Sequence, residues 1–399
     1  MALKANELII LSYINKYRKI DYEEIQKVVN EPLLQLSDAV YNLYEQGYFV
    51  IVEDKLNKEN EVKVEVTEKA LFEPIYSWNT WIECETPEFD GNVVYEGERN
   101  EKGVPIIQTI SELEELLKLH NIDEDSYHVF EIYSGEKVRK ILAPSKKLKE
   151  RQRWILKNIL YINKEQEYVH GFVKGKSIVT NAQCHVGKKE ILCLDISHFF
   201  PTIKLDSVVN VFQNIGYSSE VALKLGKLCT YEDILPQGAP TSPTLANTVF
   251  VPVDEELFRY SLNNKLIYTR YADDLTFSTD DLHIENHISN ISAIVEKHGY
   301  KINENKTHVM KDNYRKIVTG LLVNERVKVP KKFKNRLKQE IYYCRKYGVS
   351  QHLHAIGRNS AVNFKEYMYG KAYFIKMVEP GIGNDFLNQL DELFANQII

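Results

Sequence analysis

Residues 266–278 read Leu266-Ile267-Tyr268-Thr269-Arg270-Tyr271-Ala272-Asp273-Asp274-Leu275-Thr276-Phe277-Ser278. Apolar, aromatic and β-branched residues run up to Tyr271 and resume at Leu275, which predicts two strands joined by a tight turn. The turn carries Asp273 and Asp274 side by side. Two neighbouring carboxylates in an apolar hairpin repel each other and lose hydration, and a divalent cation is the usual compensation. Taken alone, a surface turn with two acids fits these residues equally well.

A third acid upstream changes the balance. Asp195 closes the apolar run Glu190-Ile191-Leu192-Cys193-Leu194 and is followed by Ile196-Ser197-His198-Phe199-Phe200-Pro201. An Asp at the end of a buried strand is costly unless it is paired or metal-bound. Asp195, Asp273 and Asp274 together suit two magnesium ions roughly 3.5–4 Å apart, one activating a hydroxyl nucleophile and one holding a triphosphate, the arrangement of nucleotidyl transfer. Between these acids lies Leu235-Pro236-Gln237-Gly238-Ala239-Pro240-Thr241-Ser242-Pro243. It is small and Pro-rich, able to bring backbone close to a nucleotide, and it leads into a predicted helix from Leu245.

The order and spacing of these motifs resemble the reverse transcriptases over residues 127–345. The matching segments begin with Lys137-Val138-Arg139-Lys140-Ile141-Leu142-Ala143-Pro144 and continue through the Asp195, Gln237-Gly238 and Tyr271-Ala272-Asp273-Asp274 motifs. Gly299-Tyr300-Lys301-Ile302-Asn303 and then Lys306 complete the set. Asn181-Ala182-Gln183-Cys184-His185 and Val318-Thr319-Gly320 further resemble two signatures of bacterial retron enzymes. An abortive-infection or group II intron-like reverse transcriptase is the alternative.

The resemblance implies an α+β right-hand polymerase, an RNA-directed DNA polymerase using Mg2+ at Asp195, Asp273 and Asp274. It implies substrate contacts from Phe200, which would exclude a ribose 2′-hydroxyl, from Gln237, and from Lys137 and Arg139 on the triphosphate. Lys306 is a candidate proton donor to pyrophosphate. His185 is a candidate RNA contact, though a hydrogen-bonded core histidine is the competing expectation. For a retron enzyme the partners are a structured noncoding RNA that is template and primer, its DNA product, dNTPs and an effector protein in phage defence.

Charge divides the chain. Residues 1–126 hold 27 acids and 12 bases, a net of −15; residues 127–399 hold 29 acids and 39 bases, a net of +10. The body is therefore the part suited to phosphates. Residues 326–346 hold nine bases against one acid, Glu340, interleaved with Phe333, Leu337, Ile341 and Tyr342. A solvated helix face would look the same. The position directly after the catalytic motifs favours a thumb helix in which Lys331, Lys332, Lys334 and Arg336 track RNA.

The front resembles a winged helix: helical periodicity over 6–16, a second helix capped by Asp21 and Glu24, a third over 32–46, then strands over 48–52 and 62–66. Its acidity favours docking of an effector or a second copy over reading DNA. The expected domains are winged helix 1–73, acidic connector 74–126 with a helix capped by Ser111 and Glu114, fingers and palm 127–323, and helical thumb 324–399. Cys84, Cys184, Cys193, Cys229 and Cys344 form no CxxC, which argues against a zinc site or a disulfide framework. The opening residues lack the apolar block of a signal peptide, and no run is long enough to span a membrane, so a cytoplasmic enzyme is expected.

Overall fold

The structure, a computed structural model, describes residues 10, 14, 19–21, 25, 40, 43, 49–53, 61–66, 91, 93–119, 127–134, 137–162, 166–357 and 364–395. The chain forms two units. Thr86–Lys328 is one, and Met1–Glu85 with Val329–Ile399 is the other.

The first unit is built on a four-stranded antiparallel sheet. Strands β6 (Glu190–Asp195), β7 (Ile267–Tyr271), β8 (Asp274–Thr279) and β9 (His308–Met310) lie in the order β7-β8-β6-β9. Alternation along β7 and β8 gives the sheet two different faces. Tyr268, Arg270 and Phe277 point towards the long helix α7 (Ser242–Asn263), where Tyr268 bonds Asp254 and Arg270 lies over the Phe250 ring. Thr269 and Ser278 alternate with them, and both bond His185, just past the short helix α3 (Ile178–Gln183). Ser177 and Thr180 form a reciprocal capping box that fixes the start of α3.

Around this sheet, the hairpin of β4 (Tyr127–Ser134) and β5 (Lys137–Pro144) precedes α2 (Lys146–Asn158). After β6 come α4 (Phe199–Thr202), α5 (Leu205–Ile215) and α6 (Ser219–Cys229). Helix α8 (Ile288–Lys297) follows β8, and the small hairpin of β10 (Ile317–Val318) and β11 (Leu321–Leu322) closes the unit.

The expected connector differs from what is observed. Val104, Ile107, Leu113 and Leu117 are buried in the same hydrophobic core as Leu192, Phe212, Leu225 and Phe277. The helix expected from Ser111 is α1 (Ile110–Leu117), capped instead by Thr109, whose hydroxyl accepts from Glu112 N while the Glu112 carboxylate accepts from Gln108 N. The acid-rich composition of 74–126 masked four apolar residues that belong to the body.

In the second unit, β1 (Lys19–Asp21), β2 (Phe49–Glu53) and β3 (Glu61–Val66) form an antiparallel sheet in the order β1-β3-β2. The hairpin lies where strands were expected. Strand β1 was not foreseen; Asp21, expected as a helix cap, is its last residue. Ile10, Ile14, Ile25, Val40 and Leu43 are helical and buried. The rest of the three expected helices and the hairpin tip lie outside the described residues. The C-terminal part holds α9 (Lys331–Tyr347), α10 (Val349–Ala355), α11 (Phe364–Val378) and α12 (Pro380–Ala395). Among the described residues no helix is long and apolar enough to cross a membrane.

Candidate active site

Three backbone pairings assemble the site. Asp195, the last residue of β6, lies directly opposite Asp274, the first of β8. Ile196 N donates to Asp273 O at 2.9 Å, which draws the turn onto the end of β6. Asn303 N donates to Asp195 O at 2.8 Å, which brings in the segment that carries Lys306. As a result, one carboxylate oxygen from each of Asp195, Asp273 and Asp274 lies within 4.8 Å of the other two. Three hard oxygen donors at this separation suit a divalent cation that prefers oxygen ligands.

The electrostatics fit the same use. Loss of hydration, then the charges of Asp273 and Asp195, push Asp274 up to about 6, although the residue keeps an exposed edge. Lys306 Nζ meets Asp195 Oδ2 at 2.6 Å, and Asn303 Nδ2 lies 3.5 Å from Asp195 Oδ1. The cluster thus carries one neighbouring ammonium against three acids.

The turn between the two strands is strained. Ala272 has φ +57°, a left-handed conformation that costs an L residue about 1–2 kcal/mol. Arg270 holds it: Nη1 donates to Ala272 O at 3.1 Å and to Asn247 Oδ1 at 3.0 Å. The rest of the guanidinium grips Asp254, with Nε at 2.8 Å from Oδ1 and Nη2 at 2.6 Å from Oδ2, and both side chains are fully buried. Burial alone would lower the Arg270 pKa; the Asp254 carboxylate more than reverses this, so the guanidinium stays charged. Neither residue was singled out in the sequence. The available signal was an arginine inside an otherwise apolar strand, which requires a buried partner.

The remaining candidates fall into distinct places. Phe200 is half-buried on α4, edge-on to Phe199 at 5.6 Å. Gln237 is exposed, and its carbonyl accepts from Leu142 N at 2.8 Å, which knits the loop to β5. Gly238 is required there: its φ is +131°, and a Cβ would come 2.7 Å from Leu142 O. Lys137 and Arg139 lie on β5 opposite Ser134 and Ile132; their side chains lie outside the described residues.

Two of the expected RNA contacts are engaged within the protein. His185 is fully buried, its ring nitrogens 2.7 Å from Ser278 Oγ and 2.8 Å from Thr269 Oγ1, and burial holds its pKa down at about 3. It is a neutral brace behind the catalytic hairpin and has no edge to offer RNA. Lys334, in the second unit, pairs with Glu379 at 2.8 Å and is mostly covered. Lys331, Lys332 and Arg336 are exposed on the same helix.

Comparison with known proteins gives the family. Residues 134–334 match the reverse transcriptase (RNA-dependent DNA polymerase) family. The retron Ec86 reverse transcriptase of Escherichia coli is 35% identical over 234 residues, 56% of this chain and 73% of that protein. The chain belongs to the reverse transcriptase family, as a bacterial retron-type member. Among other retron-type reverse transcriptases, Mx162 of Myxococcus xanthus is 31% identical over 290 residues, 64% of this chain and 58% of that protein. Se72 of Salmonella heidelberg is 34% identical over 234 residues, 56% of this chain and 62% of that protein. In this reverse transcriptase one retron-like signature reaches the helix on which the other begins: Thr319 Oγ1 donates to Ile178 O at 3.0 Å, joining the β10–β11 hairpin to α3.

Proposed function

We propose that this retron-type reverse transcriptase copies a structured noncoding RNA of its own into single-stranded DNA, priming from a 2′-hydroxyl within that RNA to leave a branched molecule. The observation that carries the reading is the convergence of Asp195, Asp273 and Asp274 at the end of β6 and the β7–β8 turn. These residues would hold Mg2+, which supplies activation of the primer hydroxyl and neutralisation of triphosphate charge. The chain's own groups do the rest. Arg270 and Asn247 fix the turn, Phe200 lies under the sugar to reject a 2′-hydroxyl, and Gln237 faces the nucleotide. Lys306 is placed on Asp195, from which it can turn to a departing pyrophosphate as a proton donor. Lys137 and Arg139 grip the triphosphate, and Lys331, Lys332 and Arg336 grip RNA.

The cytoplasm is the proposed setting and antiphage defence the proposed role. The front is proposed as a winged-helix module that docks the effector or a second copy, supported by its net of −15 against +10 for the body.

The test is DNA synthesis on the RNA that copurifies with the protein. Asp273→Asn should abolish synthesis, because one lost carboxylate weakens the hold on both ions, while the melting temperature stays close to the parent's. The parent's product should remain covalently joined to RNA after denaturation. Polymerisation by Asp273→Asn at the parent's rate would refute the site. Product that runs free of RNA would refute internal 2′-hydroxyl priming and favour the other bacterial reverse transcriptases.

A further inference from the structure

Beside the catalytic turn stands an aromatic residue in a conformation that side chains avoid. Phe172 has φ +62°, in the left-handed region where a bulky residue is an outlier. Core packing does not account for it, because the residue is 48% exposed. Its neighbours hold the backbone there. His170 N donates to Arg270 O, and Arg270 N donates to Tyr168 O, each at 2.8 Å, so this segment runs beside β7. Gly171 O accepts from Asn247 Nδ2 at 2.9 Å, and a Cβ on Gly171 would come 2.3 Å from Ala272 N. Asn247 therefore joins two strained positions: its Oδ1 accepts from the arginine that holds Ala272, and its Nδ2 holds the residue before Phe172. Phe172, Asn247 and Tyr271 line one cavity of about 1120 Å³.

The imposed conformation sends the Phe172 ring to Phe200. The centroids are 6.2 Å apart and the planes cross at 64°. Phe200 thus meets two rings edge-on, buried Phe199 and exposed Phe172. Strain that the surroundings over-determine gathers at functional sites, and here its product is a second wall for one ring.

We propose that Phe172 is a positioning residue for sugar selection: it holds the Phe200 ring at the angle that excludes a 2′-hydroxyl. The inference rests on the reading of Phe200 as the sugar gate. Without Phe172 the gate ring has one wall, and a small tilt admits a ribonucleotide.

Single-turnover incorporation of a dNTP and of its matching rNTP on a primed RNA template tests this in the full-length enzyme. The variants are Phe200→Ala, Phe172→Gly, Phe172→Leu and the double variant Phe172→Gly with Phe200→Ala. Glycine is at ease at φ +62°, so Phe172→Gly relieves the backbone while removing the wall, and Phe172→Leu keeps apolar bulk without a ring edge. Phe172→Gly should lower the dNTP-to-rNTP ratio of kcat/KM about tenfold through a gain in rNTP use, with Phe172→Leu in between and melting temperatures close to the parent's. The double variant should lose no more selectivity than Phe200→Ala alone, since two residues acting through one ring are not additive. If Phe200→Ala shifts the ratio and both Phe172 variants leave it alone, the inference falls and the gate stands. If none of the variants shifts it, both fall. Additive losses in the double variant would mean that Phe172 acts independently of Phe200, which also overturns the inference.

Discussion

His185 is uncharged at neutral pH because folding removes every water that could solvate an imidazolium, and its two hydroxyl partners are already engaged. Its native pKa of about 3 lies below the ordinary 6.5. Between those values the unfolded chain takes up a proton that the native chain refuses, so stability falls as pH drops through 6.5 and goes on falling towards 3. This one group should cost about 2 kcal/mol at pH 5. Urea midpoints at pH 7 and pH 5 for the parent and His185→Asn check it: the variant should lose less stability between the two, and equal losses would mean that His185 contributes nothing to acid sensitivity. The three aspartates were legible in the sequence because adjacent acids at the ends of apolar strands have few physical explanations. His185 was not, because a histidine's identity does not say whether its partner is a nucleotide or a hydroxyl on the next strand. Phe172 was illegible for a different reason: a left-handed φ is imposed by neighbours 75 to 100 positions away and leaves no mark on the residue type.

At the scale of elements, the catalytic turn depends on one ion pair that joins β7 to α7. Arg270 and Asp254 are both at 0% exposure, so removing either partner strands a buried charge. Asp254→Ala should destabilise the Thr86–Lys328 unit by about 3–5 kcal/mol, read as a lower urea midpoint, with synthesis lost before unfolding because Ala272 O loses a well-placed donor. An unchanged midpoint would show that the pair is not holding the hairpin. Helix α9 gives a contrast within a single run of bases. Lys331, Lys332 and Arg336 are exposed, and replacing all three with Ala should weaken RNA binding and reduce the slope of log affinity against log salt by about two to three. Lys334→Ala should leave that slope nearly unchanged and lower thermal stability instead, since its partner is Glu379. Identical salt slopes for parent and triple variant would make the run an ordinary solvated face. The helix itself was readable from charge and apolar spacing. Which lysine turns inward was not, because Glu379 arrives from the junction between α11 and α12, 45 residues later.

At the scale of the whole molecule, charge is segregated along the chain and the two units cut across that division. The expected boundary at 126 followed composition, whereas contacts place it at 85 and send the last 71 residues to the unit that contains the front. Composition is a local property, and the few apolar residues that bind 91–119 to the body do not alter it. Removing residues 1–85 should leave nucleotide addition on a primed template measurable and should abolish association with the effector or a second copy, scored by sizing and pull-down. Survival of association with loss of duplex-DNA binding would make the front a DNA reader instead. A last consequence follows from the bond between Thr319 and Ile178. In the chain they lie 141 positions apart, within or beside two separate signature motifs; in space they are one joint. Exchange of parts between related enzymes, whether by recombination or by an engineer, therefore has a natural unit of inheritance. A chimera that takes the Val318-Thr319-Gly320 hairpin from one parent and the helix of Asn181 from another would carry two halves of a hinge cut for different doors, whereas one that moves both together keeps the fit.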